Sequence, residues 1–287
     1  MIEVSLPLER IMREALEEDL GAGDLTTDLV VDPGLKGTAS VLAGEELVLA
    51  GISVFSRTFE ILSTETRFVY SFRDGEKVPA GGEICRVSGS VTSILKGERT
   101  ALNFLQRMCG IATLTRKFVE ECGGMARILD TRKTAPGIRM LDKHAVKIGG
   151  GFNHRFGLHD GILIKDNHIA AAGSISKAVA RVKLNGPHTL KVEVEVEDLA
   201  GLQEAIAAGA DAVLLDKMNP SLMREAVEIA DRRVLLEASG RVHLGNVREI
   251  AETGVDLISV GALTHSPRAM DISLKLRQAA QRMGQSA

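Results

Sequence analysis

KVEVEVEDLAGLQEAIAAGADAVLLDKM, residues 191–218, reads as a strand, a helix and a second strand in immediate succession. Val192, Val194 and Val196 alternate with Glu193, Glu195 and Glu197, the two-residue period of a β-strand with one apolar and one acidic face. LAGLQEAIAAGA then has helical composition and ends in glycine, and AVLLD is a short apolar run closed by an acid. The same unit recurs on both sides, at ARILD, GILIKD, RVLLEASG and DLISVGA, and the later runs start about 20 to 23 residues apart. These runs end at Asp130, Lys165, Glu195, Asp216, Ser239 and Gly261. A polar or glycine residue at every strand end is the pattern of a parallel βα barrel, whose active site lies at the C-terminal ends of its strands. Six strands are plain, and a seventh has room in 135–151. An open doubly wound sheet would want an early glycine-rich dinucleotide turn, and the chain has none.

Chemistry concentrates just before this unit, in LDTRKTAPGIRMLDKHAVKIGGGFNHRFGLHDGILIKDNHI, residues 129–169. From Thr131 to His168 seven cations (Arg132, Lys133, Arg139, Lys143, Lys147, Arg155, Lys165) face three acids (Asp142, Asp160, Asp166), within a chain of formal charge −3. A local excess of that size predicts a focused positive site for a small, highly charged anion. Four of the seven histidines, His144, His154, His159 and His168, lie in the same stretch. On the acidic strand, valines belong under the helices, so the three glutamates are expected at the lumen or rim, compensated by Lys133, Lys165 or a metal ion. Glu195 and Asp216, on successive strands, suit Mg²⁺ or sugar hydroxyls. Glycines at EASGRV and SVGAL open the last two βα loops, where barrel phosphate sites favour backbone N–H donors. The residues alone thus describe a barrel enzyme for a phosphorylated sugar and a multiply anionic second substrate, and leave the reaction type open.

Composition excludes other classes. A pI near 6.2, no tryptophan and a single tyrosine argue against nucleic-acid binding. No run of 18 apolar residues occurs, and MIEVSLPLERIM lacks the apolar core of an export signal. Three cysteines, Cys85, Cys109 and Cys122, have no metal or CxxC spacing and predict buried thiols in a reducing cytoplasm.

Towards the N-terminus, Ser5 and Pro7 precede an apolar stripe that predicts a helix ending near Gly21. GTASVLAG, ELVLAGISVF and RFVYSF read as β runs, and DGEKVPAGGEICRVSGS as a β-turn region. Its glycine and valine spacing resembles that of lipoyl carriers, yet it lacks a lysine at a hairpin tip. TSILKGERTALNFLQRMC predicts a helix with Arg99 on its polar side, interrupted at Gly110 before a second helix towards Cys122. The expected division is a small N-terminal domain over residues 1–110 and a barrel domain over 111–287, with a final helix returning to the first domain.

EEDLGAGDLTTDLV, ERTALNFLQRMCGIAT, DTRKTAPGIRMLDKHAVKIGGGFNHR, LIKDNHIAAAGSI, VEVEVEDL, LLDKM and ETGVDLISVGALTHS together resemble the quinolinate phosphoribosyltransferase family, the decarboxylating nicotinate-nucleotide pyrophosphorylases. The match covers nearly the whole chain. It implies phosphoribose transfer from phosphoribosyl pyrophosphate to quinolinate, giving nicotinate mononucleotide, pyrophosphate and CO₂ in NAD biosynthesis. An α/β fold follows, with a small N-terminal α/β sandwich and an incomplete βα barrel, together with Mg²⁺ dependence, no organic cofactor, and a homodimer with sites shared between subunits. Carried over residue by residue, the substrate ligands are Arg99, Thr131, Arg132, Lys133, His154, Arg155 and Lys165. The acidic pair is Glu195 and Asp216, the phosphate loops are Ser239, Gly240, Arg241 and Val260, Gly261, Ala262, and catalysis falls to Lys133, Lys165, Glu195 and Asp216. Arg99 is implied to serve the neighbouring subunit. Arg241 stands where the family prefers Gly or Asn, so the resemblance leaves either a right-handed or extended loop there or an added side-chain contact to phosphate. The alternatives are a ModD-type protein of molybdate operons, a non-catalytic phosphosugar-binding regulator, and a Schiff-base aldolase using Lys165 or Lys217.

Overall fold

The computed structural model describes residues 5–277. In chain order its elements are α1 Leu6–Leu20, α2 Leu25–Val30, β1 Lys36–Ala43, β2 Leu47–Val48, α3 Ile52–Leu62, β3 Arg67–Tyr70, β4 Lys77–Val78, β5 Glu83–Ser90 and α4 Val91–Cys122. There follow β6 Arg127–Leu129, α5 Arg139–Ile148, β7 Ile162–Ile164, α6 Asp166–Ala172, α7 Ile175–Asn185, β8 Val192–Val196, α8 Leu199–Ala208 and β9 Ala212–Asp216. The last are α9 Pro220–Ala230, β10 Leu235–Ser239, α10 Val247–Ala251, β11 Leu257–Ser259, α11 Ala262–His265 and β12 Ile272–Leu276. Two compact units emerge, one from Met1–Leu114, Ala135–Gly149 and Pro267–Ala287, the other from Thr115–Thr134 and Gly150–Ser266.

The first unit is an α/β sandwich around the antiparallel sheet β12-β1-β5-β3, with a small β2-β4 pair. Its core joins Val41, Ile84 and Val87 of the sheet to Phe55 and Phe59 of α3 and Leu102 and Leu105 of α4. Phe55 and Phe59 meet edge to face at 5.1 Å, a favoured aromatic geometry. Two sequence expectations change here. ELVLAGISVF is not one strand: after the two residues of β2, Gly51 turns left-handed (φ 92°) and α3 begins. The sequence fuses the two because Ile52, Val54, Phe55, Phe59 and the preceding residues are all apolar, although Ile52, Phe55 and Phe59 already keep helical spacing. Gly110 does not divide two helices, since α4 runs through it for 32 residues. Its glycine answers a close approach instead: a Cβ there would strike the Arg268 carbonyl oxygen. The last described element is β12, which pairs antiparallel with β1 from Ala43↔Ile272 to Ala39↔Leu276. A final helix beyond residue 277 lies outside the described residues.

The second unit holds the six predicted strands as one all-parallel sheet, ordered β6-β11-β10-β9-β8-β7. The chain's first and second strands of this sheet, β6 and β7, are its two edges. Beyond β6 a single bridge, Leu129↔Phe152, stands in the place of a further strand, so the barrel is incomplete. Within 135–151, where a seventh strand had room, 139–148 forms α5 instead. Turn chemistry explains the regular cadence. Asp198 accepts from Gly201 N–H to start α8, Gly209 closes it left-handed, and Asn219 with Pro220 starts α9. At the N-terminal ends of the strands, Asp211 accepts from Val192 N–H (2.7 Å) and Asp256 from Leu236 N–H (2.8 Å). Each aspartate precedes its own strand and satisfies a neighbouring one.

Candidate active site

Period-two alternation decides which side chains reach the lumen. On β8 the three valines are buried and Glu193 and Glu195 are only partly so, pointing the opposite way. Register then places Glu195 beside Leu214 of β9 and Leu214 beside Glu237 of β10, while Asp216 pairs with Ser239 one layer higher. At the C-terminal ends of these strands opens a cavity of about 560 Å³, lined by Leu163, Leu214 and the polar residues described next.

Its floor is an acid cluster around one imidazole. His154 Nε2 lies 3.2 Å from Glu193 Oε2 and 3.6 Å from Glu237 Oε2. On the other side of the ring, Nδ1 accepts from Arg155 N–H at 2.8 Å, so the partners assign the proton to Nε2. The backbone of His154 is itself fixed, its N–H donating to the fully buried Asp130 (2.9 Å). Glu237 is 1% exposed, and its Oε1 has no hydrogen-bond partner among the described residues. Burial, and next the Glu193 charge, push its carboxyl up to about 7. The three donor atoms all lie within 4.8 Å of one another, close enough to converge on an ion.

Cations form one wall. Thr131, Arg132 and Lys133 follow β6, and Arg155 follows His154. The Arg155 guanidinium donates to Gly161 O at 3.0 Å, and burial, then the Arg132 charge, lower its pKa. A wall on which cations crowd one another favours an incoming anion. Lys133 is pinned by its backbone: its N–H donates to Thr131 Oγ1 (3.0 Å), and Thr264 Oγ1 donates to its carbonyl (2.8 Å).

The mouth is made of ion pairs. Lys165, the N-cap residue of α6, bonds Glu195 through its ammonium, while its backbone N–H donates to His168 Nδ1. Lys217 Nζ donates to Asp216 Oδ2 at 2.5 Å and lies 3.9 Å from Glu197 Oε1, and the Asp216 bond raises the lysine pKa. Ser239, Gly240 and Arg241 complete the rim.

The structure therefore brings Thr131, Arg132, Lys133, His154, Arg155, Lys165, Glu195, Asp216, Ser239, Gly240 and Arg241 around one cavity. Val260, Gly261 and Ala262 form the turn from β11 into α11, where a Cβ on Gly261 would lie 3.2 Å from Lys133 Cδ. Arg99 belongs to the first unit, exposed on α4. The dense basic stretch does not stay together: Arg139, Lys143, Lys147 and His144 lie on α5 of the first unit, where Asp142 takes a bidentate bond from Arg107. Arg241 also departs from the right-handed or extended loop offered as one alternative, since its φ is 57°. Glu237 escaped the sequence reading altogether. Its only signal is an acid inside the apolar run VLLEAS, where a lumen-facing strand position is the one place an acid fits.

A parallel, incomplete βα barrel with a cation-lined pocket at its strand ends, joined to an α/β sandwich, is the class these features define. The chain belongs to the quinolinate phosphoribosyl transferase family: the N-terminal domain model matches residues 24–109 and the C-terminal domain model residues 111–275. A probable nicotinate-nucleotide pyrophosphorylase [carboxylating] of Bacillus subtilis is 40% identical over 270 residues, 94% of this chain and 93% of the relative. Quinolinate phosphoribosyltransferase [decarboxylating] 1b of Nicotiana tabacum is 41% identical, covering 94% of this chain and 82% of its own. The solved nicotinate-nucleotide pyrophosphorylase from Francisella tularensis superposes with a TM-score of 0.90 at 44% identity, covering 94% of this chain and 96% of that one.

Proposed function

We propose that this protein is a decarboxylating phosphoribosyltransferase that joins quinolinate to phosphoribosyl pyrophosphate, forming nicotinate mononucleotide, pyrophosphate and CO₂ for NAD biosynthesis. The observation that carries the reading is a single cavity with planar arginines on one wall and two strand-end carboxylates at its mouth. Arg132 and Arg155 suit the two carboxylates of a pyridine diacid, since a guanidinium meets a carboxylate bidentately. As the pyridine nitrogen attacks the anomeric carbon, the C–O bond to pyrophosphate breaks and the ribose gains oxocarbenium character, which Glu195 and Asp216 stabilise. Lys133 and Lys165 hold the substrates' anionic groups in line. With its nitrogen quaternary, the ring accepts the electron pair left by the departing carboxylate as an ylid, which a proton then quenches.

Glu195 and Asp216 fit Mg²⁺: both offer hard carboxylate oxygens, and each already holds an ammonium that a dication would replace. Bound there, the ion would neutralise charge on the leaving pyrophosphate. A homodimer in which Arg99 serves the neighbouring subunit's site, or a higher oligomer of such dimers, completes the proposal, with a cytoplasmic location supported by three free, buried thiols. No helix of the described residues is long and apolar enough to cross a membrane. The relatives' names do not favour the ModD-type alternative.

Incubation with quinolinate, phosphoribosyl pyrophosphate and Mg²⁺ should yield nicotinate mononucleotide, and its absence would refute the activity. Arg99→Ala and Lys133→Ala homodimers should each be inactive, yet mixing them should restore about a quarter of wild-type activity through the mixed dimers' one intact site. No recovery, with exchange confirmed by mass, would mean that Arg99 serves its own chain.

A further inference from the structure

The reaction as described leaves the side chain of Lys217 without a task, although its backbone is held in an unfavourable state. Among the described residues four non-glycine residues have positive φ, and two of them, Lys217 and Arg241 (both 57°), border the cavity. The other two, Asp231 and Arg232, turn the chain at the end of α9. Glycine or asparagine is the ordinary occupant of such a position, because the Cβ of an L residue crowds the following carbonyl, which glycine avoids and asparagine offsets by local hydrogen bonding. Lys217 directly follows β9, and Arg241 lies two residues beyond β10; the strands are neighbours, with Asp216 opposite Ser239.

The two turns interlock. Lys217 N–H donates to Ser239 O at 2.9 Å, and a Cβ on Gly240 (φ 88°) would lie 2.7 Å from Lys217 Cγ. These contacts hold Lys217 in its left-handed turn, and Asn246 Nδ2 donates to the Arg241 carbonyl at 3.2 Å, the condition under which local strain persists at ligand clamps. What lysine and arginine supply that glycine or asparagine would not is charge at the rim. The Lys217 charge is paired with Asp216, with its side chain about half exposed (54%). Arg241 makes no ion pair among the described residues. One cation is thus exchangeable and the other uncommitted, beside the loop at the end of β10.

We propose that Lys217 and Arg241 form a side-chain phosphoryl clamp for the phosphoribosyl donor, Lys217 passing from Asp216 to phosphoryl oxygens as the donor enters. The inference rests on the proposed function. The donor has phosphoryl groups at both ends, so ribose 5-phosphate and inorganic pyrophosphate serve as separate probes of the two. Lys217→Asn, Arg241→Gly and the double variant remove the cations while keeping residues that accept the left-handed turn, so the fold should be retained with an equal or higher Tm.

Calorimetry on the full chain should show about tenfold weaker binding per cation for ribose 5-phosphate or for pyrophosphate, with quinolinate affinity within twofold of wild type. Lys217→Arg should keep the phosphoryl affinity that Lys217→Asn loses. Wild-type affinity of the double variant for both phosphoryl probes would overturn the clamp, as would an equal loss of quinolinate, which would mean the turns only shape the pocket. Failure of the wild type to bind quinolinate while it binds the phosphoryl probes would instead refute the proposed reaction and leave the clamp to be judged on its variants.

Discussion

The floor of the cavity and its mouth both set acids against bases, and they do so by opposite means. At the floor, Glu193 and Glu237 share one imidazole, and Glu237 is sealed from water with its carboxyl pushed up to about 7. At the mouth, Glu195 and Asp216 each keep a lysine ammonium in a setting that solvent reaches. A buried cluster cannot trade its partners without leaving a charge bare, which fixes the ring and, through it, the Arg155 backbone. An exposed pair contributes little to stability and exchanges easily for a substrate or ion. The floor suits one fixed geometry, and the mouth suits the exchange of partners that the proposed reaction requires.

The largest effects should come from breaking the mouth. Glu195→Gln and Asp216→Asn should lower kcat by about a hundredfold or more while leaving quinolinate binding nearly intact, as expected for groups that meet charge developing in the transition state. Steady-state kinetics decide the point, since a change confined to the quinolinate KM would reverse the assignment of the two regions. Next in size, Arg132→Ala and Arg155→Ala should each weaken quinolinate binding by about 1.5 to 3 kcal/mol, roughly ten- to a hundredfold, with pyrophosphate binding retained. Unchanged calorimetric affinity in either variant would remove that arginine from the diacid site.

A smaller effect separates floor from mouth by pH. Because the folded state raises the Glu237 pKa from 4.5, its protonated form adds stability that is complete below about 4.5 and lost as pH rises through about 7. Facing it are Glu193 from β8, His154 and the Ser259 hydroxyl from β11. Glu237→Gln is neutral throughout, so the stability of wild type relative to this variant should fall by on the order of 2 kcal/mol between pH 5 and pH 8. Urea midpoints that move in parallel for the two proteins would show that the floor carboxyl is not held protonated.

The sheet was legible in the sequence because its strands are short apolar runs or, on β8, valine alternating with glutamate, each with a polar residue at or just past its end, and the pocket residues follow from those ends. What stayed hidden depended on the third dimension. Seven cations between Thr131 and His168 look like one site, but α5 takes Arg139, Lys143 and Lys147 into the other compact unit. Glu237 is a single acid in an apolar run, and only the register with Leu214 and the approach of His154 reveal its neighbours. Gly110 looked like a helix break because its actual constraint, the Arg268 carbonyl, is 158 residues away in sequence. Arg241 was legible as an anomaly, and the fold kept the left-handed turn in spite of it.

In the proposed reaction the mouth must deliver phosphoribose before the diacid at the wall can lose its carboxylate, because only a quaternary ring nitrogen stabilises the resulting carbanion. Quinolinate labelled in the carboxylate next to nitrogen tests this directly. Labelled CO₂ should appear only when phosphoribosyl pyrophosphate is present, in a one-to-one ratio with nicotinate mononucleotide. Release without the donor, or nucleotide formed with the label retained, would contradict it.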